Sequence, residues 1–175
     1  MVWFWYFVIY SFLGFCIEVV FARLTDQKKR DRKCLYLLPL CPVYGLGAVA
    51  ILLLPPPIRE NGLLLFLMGG LTATVVEYLT GVWDRRVLGV KFWDYTGLPG
   101  STDGVVCLPF GLVWGLLAIL LVRLLHPWVE RRVTAIPHWV TVAALVLVLG
   151  DGVSSAFRLR KTGTTDSLKW YSQPS

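Results

Sequence analysis

The sequence predicts an all-α fold, a polytopic transmembrane bundle of about five helices, and three observations lead there. Apolar residues make up 56% of the chain and charged residues only 16%, against roughly 25% charged in an average globular domain. The charges are clustered, so runs of about 20 mostly apolar residues, long enough to cross a bilayer, stand between them. The net charge of +6 falls between those runs, where Lys and Arg act as topology signals. A lipid bilayer is therefore the expected partner, and nucleic acid is not.

The five spans are expected at about 2–22, 35–55, 62–83, 105–125 and 138–158, so that residues 1–158 form the transmembrane domain and 159–175 a polar tail. The first span begins at Val2-Trp3-Phe4-Trp5-Tyr6. No basic segment precedes it and no small-x-small cleavage site follows, which reads as a retained helix. Pro55-Pro56-Pro57 stops the second span. Alternate connections and the tail carry 6, 3 and 4 basic residues: Arg23 to Lys33, then Arg85, Arg86 and Lys91, then Arg158, Arg160, Lys161 and Lys169. The opposite side has only Arg59, Arg131 and Arg132, with Arg123 near a helix end. Positive-inside asymmetry then predicts a multi-pass protein of the cytoplasmic membrane, N-terminus outside and C-terminus cytosolic.

Under that topology Cys16, Cys34, Cys41 and Cys107 fall in or near the cytosolic half, where reducing conditions disfavour disulfides. No Cys-x-x-Cys pair points to zinc or redox chemistry. His126 and His138 lie with Trp128 and Trp139 at the outer face, as interfacial residues rather than metal ligands.

Three acids lie inside spans: Glu18, Glu77 and Asp151. Each precedes the cationic segment that ends its helix, which at about 1.5 Å per residue puts it on the order of 8–12 Å inside the cytosolic boundary. A charge without a partner costs about 2.5–3.5 kcal/mol or more at a helix centre, less toward the interface. Ser11, Gly14 and Glu18 share one helical face; Gly70, Thr74, Glu77 and Gly81 share another. Small residues beside an acid admit a neighbouring helix, so both acids are expected to face inward. Two readings stay open: a ligand or ion site, or acids paired with Arg85, Arg86 or free amides for packing alone.

Spans two and four share a pattern. Pro39 is followed five and six residues later by Tyr44-Gly45, and Pro109 by Trp114-Gly115; similar aliphatic runs follow, Ala50-Ile51-Leu52-Leu53 and Ala118-Ile119-Leu120-Leu121. Tyr44 and Trp114 thus join the candidate ligand or ion site. Spans one and two, with Glu18, and spans three and four, with Glu77, would form a parallel duplication of two-helix units about an axis along the membrane normal. The plain alternative is two kinked helices that look alike. The second unit carries an insertion holding Trp93-Asp94-Tyr95, expected to fold back against the bundle mouth, with Asp94 paired to a basic loop residue or an amide freed near a proline. The alternative there is an interfacial loop with Asp94 in water.

No Gly-x-x-x-x-Gly-Lys-Ser/Thr loop, His-Glu-x-x-His helix or Gly-x-Ser-x-Gly elbow occurs, so no ATPase, zinc protease or serine hydrolase signature is present. No catalytic residue, cofactor or metal is expected.

The ordered segments Tyr10-Ser11-Phe12-Leu13-Gly14 with Glu18, Pro39-x-x-Pro42-Val43-Tyr44-Gly45, Glu77-Tyr78-x-x-Gly81, Trp93-Asp94-Tyr95, Gly104-x-x-Cys107-Leu108, Trp114-Gly115 and His126-Pro127 resemble one family. It is the bacterial group labelled "putative ABC-transporter permease, type IV", and the resemblance covers about residues 4–127. The chain departs from the family at Arg32-Lys33-Cys34-Leu35-Tyr36-Leu37-Leu38-Pro39, where two glycines are missing, and at Ser101-Thr102-Asp103-Gly104-Val105, where an arginine is missing.

The resemblance implies a permease-like subunit of a transport system without its own ATPase, working as a homo-oligomer or with a separate ATPase subunit docked on the loop from Asp84 to Asp103. The alternative is a non-transporting assembly or regulatory partner of cell-envelope enzymes. A third reading, an intramembrane enzyme with Glu18 and Glu77 as acid and base, lacks a nucleophile.

Overall fold

A computed structural model describes residues 1–25 and 33–169. Lys28, Lys29, Arg30 and Arg32 of the expected basic connection lie outside the described residues. No strand forms among the described residues; an isolated bridge joins Thr102 to Val106.

The chain is a multi-pass membrane protein. Four stretches are long and apolar enough to cross a bilayer: Val2–Leu24, Gly62–Leu88, Leu108–Val133 and His138–Thr162. Their outward faces are apolar, as a lipid solvent requires. On Gly62–Leu88 the residues Leu63, Leu67, Leu71, Val75 and Leu79 are exposed in one row, and on Leu108–Val133 so are Leu108, Leu112, Leu116, Leu120 and Leu124. Polar groups are turned inward instead: Ser11, Glu77, Thr141, Asp151 and Ser155 are buried. Such an inside-out distribution follows from a surrounding that offers no hydrogen bonds.

Helix α1 spans Val2–Leu24. Helix α2 is shorter than the expected 35–55 and covers only Pro42–Leu52. Prolines explain the difference. Pro39 and Pro42 lack the amide that would continue a helix, and each ring crowds the carbonyl four residues back. Residues 33–41 therefore run outside helical geometry, with Cys41 N–H donating to the Ser11 carbonyl at 2.9 Å. This segment enters the bundle as far as the middle of α1, so α2 supplies only part of a crossing. The five-helix expectation is met as four long spans plus this short helix.

A turn α3 (Pro56–Glu60) leads to α4 (Gly62–Trp83). The Asn61 side chain caps α4 by accepting from Leu63 and Leu64 N–H at 3.0 and 3.1 Å, the usual service of an N-cap amide. A π-helical turn, Asp84–Leu88, extends α4. Helix α5 (Leu108–Leu120) continues through a second π turn, Leu121–Leu125, into α6 (His126–Val133). That π turn lies just before Pro127, which withholds the amide the Arg123 carbonyl would receive. Arg131 and Arg132 accordingly sit on a helix rather than in a loop, which reduces the connection to four residues, 134–137.

Helix α7 spans His138–Thr162 and runs past the expected limit at 158. The tail is not simply polar: Leu159 and Leu168 are buried with Val90.

Helix ends fix the relative directions. Trp5 Nε1 donates to Thr141 Oγ1 at 2.9 Å, and Tyr10 meets His126 Nδ1 at 3.1 Å. Phe21 packs against Phe110 at the other end. The N-terminus of α1 therefore shares an end with α6 and the start of α7. The C-terminus of α1, the start of α5 and the 89–107 loop share the opposite, loop end.

Candidate functional site

Near the loop end, two carboxylates from different helices are held by aromatic donors. Glu18, on the inward face of α1, accepts from the Tyr44 hydroxyl of α2 at 2.7 Å. Glu77, on α4 and 3% exposed, accepts from Trp114 Nε1 of α5 at 2.9 Å and from the Tyr95 hydroxyl at 3.0 Å. The Tyr44 and Trp114 rings touch edge to face, with centroids 5.0 Å apart. Tyr95 stacks on Phe110 at 4.6 Å. Four of the five residues proposed for a ligand or ion site, Glu18, Glu77, Tyr44 and Trp114, thus come together.

The local reason is the same in both halves of the cluster. An added Cβ on Gly45 would lie 2.5 Å from the Phe7 carbonyl oxygen; one on Gly115 would lie 2.7 Å from the Phe66 carbonyl oxygen. Phe7 stands eleven residues before Glu18, and Phe66 eleven before Glu77. Only glycine lets the backbones close to that distance, and the closure aims the preceding aromatic residue at the acid. The α1–α2 and α4–α5 pairs therefore share a packing contact and a donor-to-carboxylate bond in corresponding positions and in the same chain direction.

Asp151 is the fifth candidate and joins a different group. Its carboxylate accepts from Leu37 N–H at 3.0 Å and Leu38 N–H at 2.7 Å, while Ser155 Oγ accepts from Tyr36 N–H at 2.8 Å. Ser155 in turn donates to Asp151 at 3.3 Å. This acid satisfies the amides released where the chain cannot be helical, as buried backbone demands. The three acids expected at similar depth are thus divided between two groups.

In the loop, Trp93 Nε1 donates to the Val105 carbonyl at 2.7 Å, and Arg85 donates to the carbonyls of Asp103 and Gly104. Asp94 is exposed; it accepts from Thr96 Oγ1 at 2.6 Å, Thr96 N–H at 3.0 Å and Lys91 Nζ at 3.1 Å. The Thr96 hydroxyl and amide, then Lys91, hold the Asp94 carboxyl well below the usual carboxylate range. Burial, reinforced by the nearby Glu77 carboxylate, pushes the Tyr95 phenol well above its ordinary value. It therefore stays a donor at neutral pH. Sequence reasoning grouped Tyr95 with the loop and missed its reach to Glu77; the three-residue motif alone gives no sign of a contact 18 positions away. Asp84, expected in an exposed docking loop, is buried on the π turn.

Among the described residues no cluster of His, Cys, Asp and Glu could hold a metal ion. The carboxylate pair offers hydrogen-bond acceptors and negative charge inside a low-dielectric bundle.

A family model described as "Putative ABC-transporter type IV" matches residues 5–155. The chain belongs to that family. No curated protein and no solved structure matches it. The type IV match includes α7 up to Ser155, and so extends beyond α1–α6 to the Asp151–Ser155 contacts with the extended segment. It marks the chain as a membrane protein of an ABC-transporter-related group.

Proposed function

We propose that this chain is a permease-like membrane subunit that works with a separate ATPase subunit or as a homo-oligomer, with its polar site at Glu18, Tyr44, Glu77 and Trp114. The single observation that supports this is the pair of carboxylates, each held by an aromatic donor of its own two-helix unit, lying together where the units meet. Transport folds built by duplication put their sites at such junctions. Two acids whose aromatic donors pack against each other would give the site affinity for a cation or a proton. Tyr95 links it to the 89–107 loop, so a protein docked on that loop would act directly on Glu77. With the excess of Lys and Arg on the loop end, that end faces the cytosol, where an ATPase would meet it.

The test is affinity purification of the full chain from membranes of its native host. A stoichiometric partner with a phosphate-binding loop is the expected result. A cell-envelope synthase in its place would favour the assembly-partner reading, which the closed hydrogen bonding of Glu77 also suits. Orientation is checked in intact cells. A cysteine replacing Ala135 should react with a membrane-impermeant maleimide, and one replacing Gly163 should not.

A further inference from the structure

An acid-bearing cavity lies apart from the Glu18–Glu77 cluster. It occupies about 240 Å³ between α2, α4, α7 and the start of the extended segment. Asp84 lines it and is 7% exposed, yet no hydrogen bond or ion pair reaches its carboxylate from the described residues. A buried charge without a partner is strongly disfavoured, and this one stands at the wall of an open space.

The rest of the lining narrows what could fill that space. Trp83, Phe92 and Trp93 contribute aromatic surface, and Val43, Leu46 and Leu159 aliphatic surface. The two wall hydroxyls are already committed: Thr80 donates to the Val76 carbonyl, and Ser155 is engaged with Tyr36 and Asp151. Calcium or magnesium wants six or more oxygen ligands, and one carboxylate in an apolar wall does not supply them. An organic ammonium asks for something else: a single counter-charge, aromatic faces and apolar contact around its methyl or methylene groups. Trp83 and Leu46 are 55% and 46% exposed, so two apolar wall residues of the cavity reach the outer surface of the bundle.

We propose that this cavity binds an organic ammonium group carried on an apolar body, with Asp84 as its counter-ion. The ligand enters sideways from the bilayer, and its size is limited to a small head and a few carbons. Its source is either an aminophospholipid headgroup or a free amphiphilic amine. The site is independent of the Glu18–Glu77 cluster, so it stands or falls separately from the permease reading.

The test measures binding of hexyltrimethylammonium to the purified full chain in phosphatidylglycerol nanodiscs, with hexanol and hexylsulfonate as uncharged and anionic comparisons. Saturable binding of the ammonium at least tenfold tighter than either comparison is expected. Asp84→Asn should weaken it tenfold or more, and Ala156→Phe, which fills the cavity from α7 and leaves the charge alone, should do the same. If phosphatidylethanolamine in the nanodisc competes with the probe, the lipid headgroup is the source; if it does not, a free amine is. Equal binding of hexanol, or affinity within twofold of wild type in both variants, overturns the proposal. Should both variants fail to fold, the charge selectivity of the wild type decides alone, and absence of selectivity overturns it.

Discussion

Tyr44 donates to Glu18 at 2.7 Å from the residue next to Gly45, whose missing side chain lets α2 rest on the Phe7 carbonyl. Trp114 and Glu77 repeat the relationship at 2.9 Å beside Gly115 and Phe66. Donor and close approach come as one unit: without the glycine, the aromatic residue could not reach the acid.

Alanine at Gly45 or Gly115 should therefore force its helix pair apart. Each substitution is expected to destabilise by about 1–3 kcal/mol, by similar amounts in the two units. Gly150→Ala, with nothing within 4 Å of the added carbon, should be neutral or stabilising by up to about 1 kcal/mol. Thermal unfolding in detergent compares the three. A large loss at one glycine and none at the other would mean that the two units are not built alike.

Removing a donor from Glu77 should cost more than removing its charge. Trp114→Phe leaves a buried carboxylate short of one of its two partners and is expected to destabilise by about 1–3 kcal/mol. Glu77→Gln retains a carbonyl acceptor for one donor and should cost less, while abolishing whatever the carboxylate charge does in transport. Melting temperatures of both variants, with a complementation assay for function, separate packing from charge.

Asp151→Ala removes the acceptor for the Leu37 and Leu38 amides. Each amide left bare at membrane depth costs about 1–3 kcal/mol, so the variant should lose several kcal/mol or let residues 33–41 come loose. Hydrogen exchange at Leu37 and Leu38 should rise sharply while exchange in the middle of α4 stays slow. Unchanged protection at both amides would show that Asp151 is not what holds the segment.

Asp94 sets an acid limit on the loop. Its carboxyl is held below the usual range in the folded state, so its contribution is complete above the unfolded value of about 3.9. It declines as pH falls from there through the folded value. The loop should therefore be insensitive to pH from 8 to about 5 and loosen only in stronger acid. Asp94→Asn should raise exchange at Thr96 N–H at neutral pH and remove the acid dependence. Trp93 fluorescence across the same range reports whether the indole keeps its place against Val105.

Composition and periodicity alone determined the solvent, four of the five expected spans and the inward faces of α1 and α4, because a bilayer sorts residues by polarity along each helix separately. The paired Pro-to-aromatic-Gly pattern, read within single segments, also marked Tyr44 and Trp114. What depends on contacts between distant segments was decided only by the tertiary structure. Pro39 and Pro42 show that a helix is interrupted, but not that Asp151 and Ser155, more than a hundred residues away, receive the freed amides. The loop motif shows an aromatic pair around an acid, but not that Tyr95 turns inward to Glu77 while Asp94 turns out to Lys91. Asp84 reads as one more charge beside Arg85 and Arg86, and only the packing of α7 and the loop over the π turn encloses it. Hydrophobic patterning is a property of one helix; which polar group meets which depends on how several helices are placed in space.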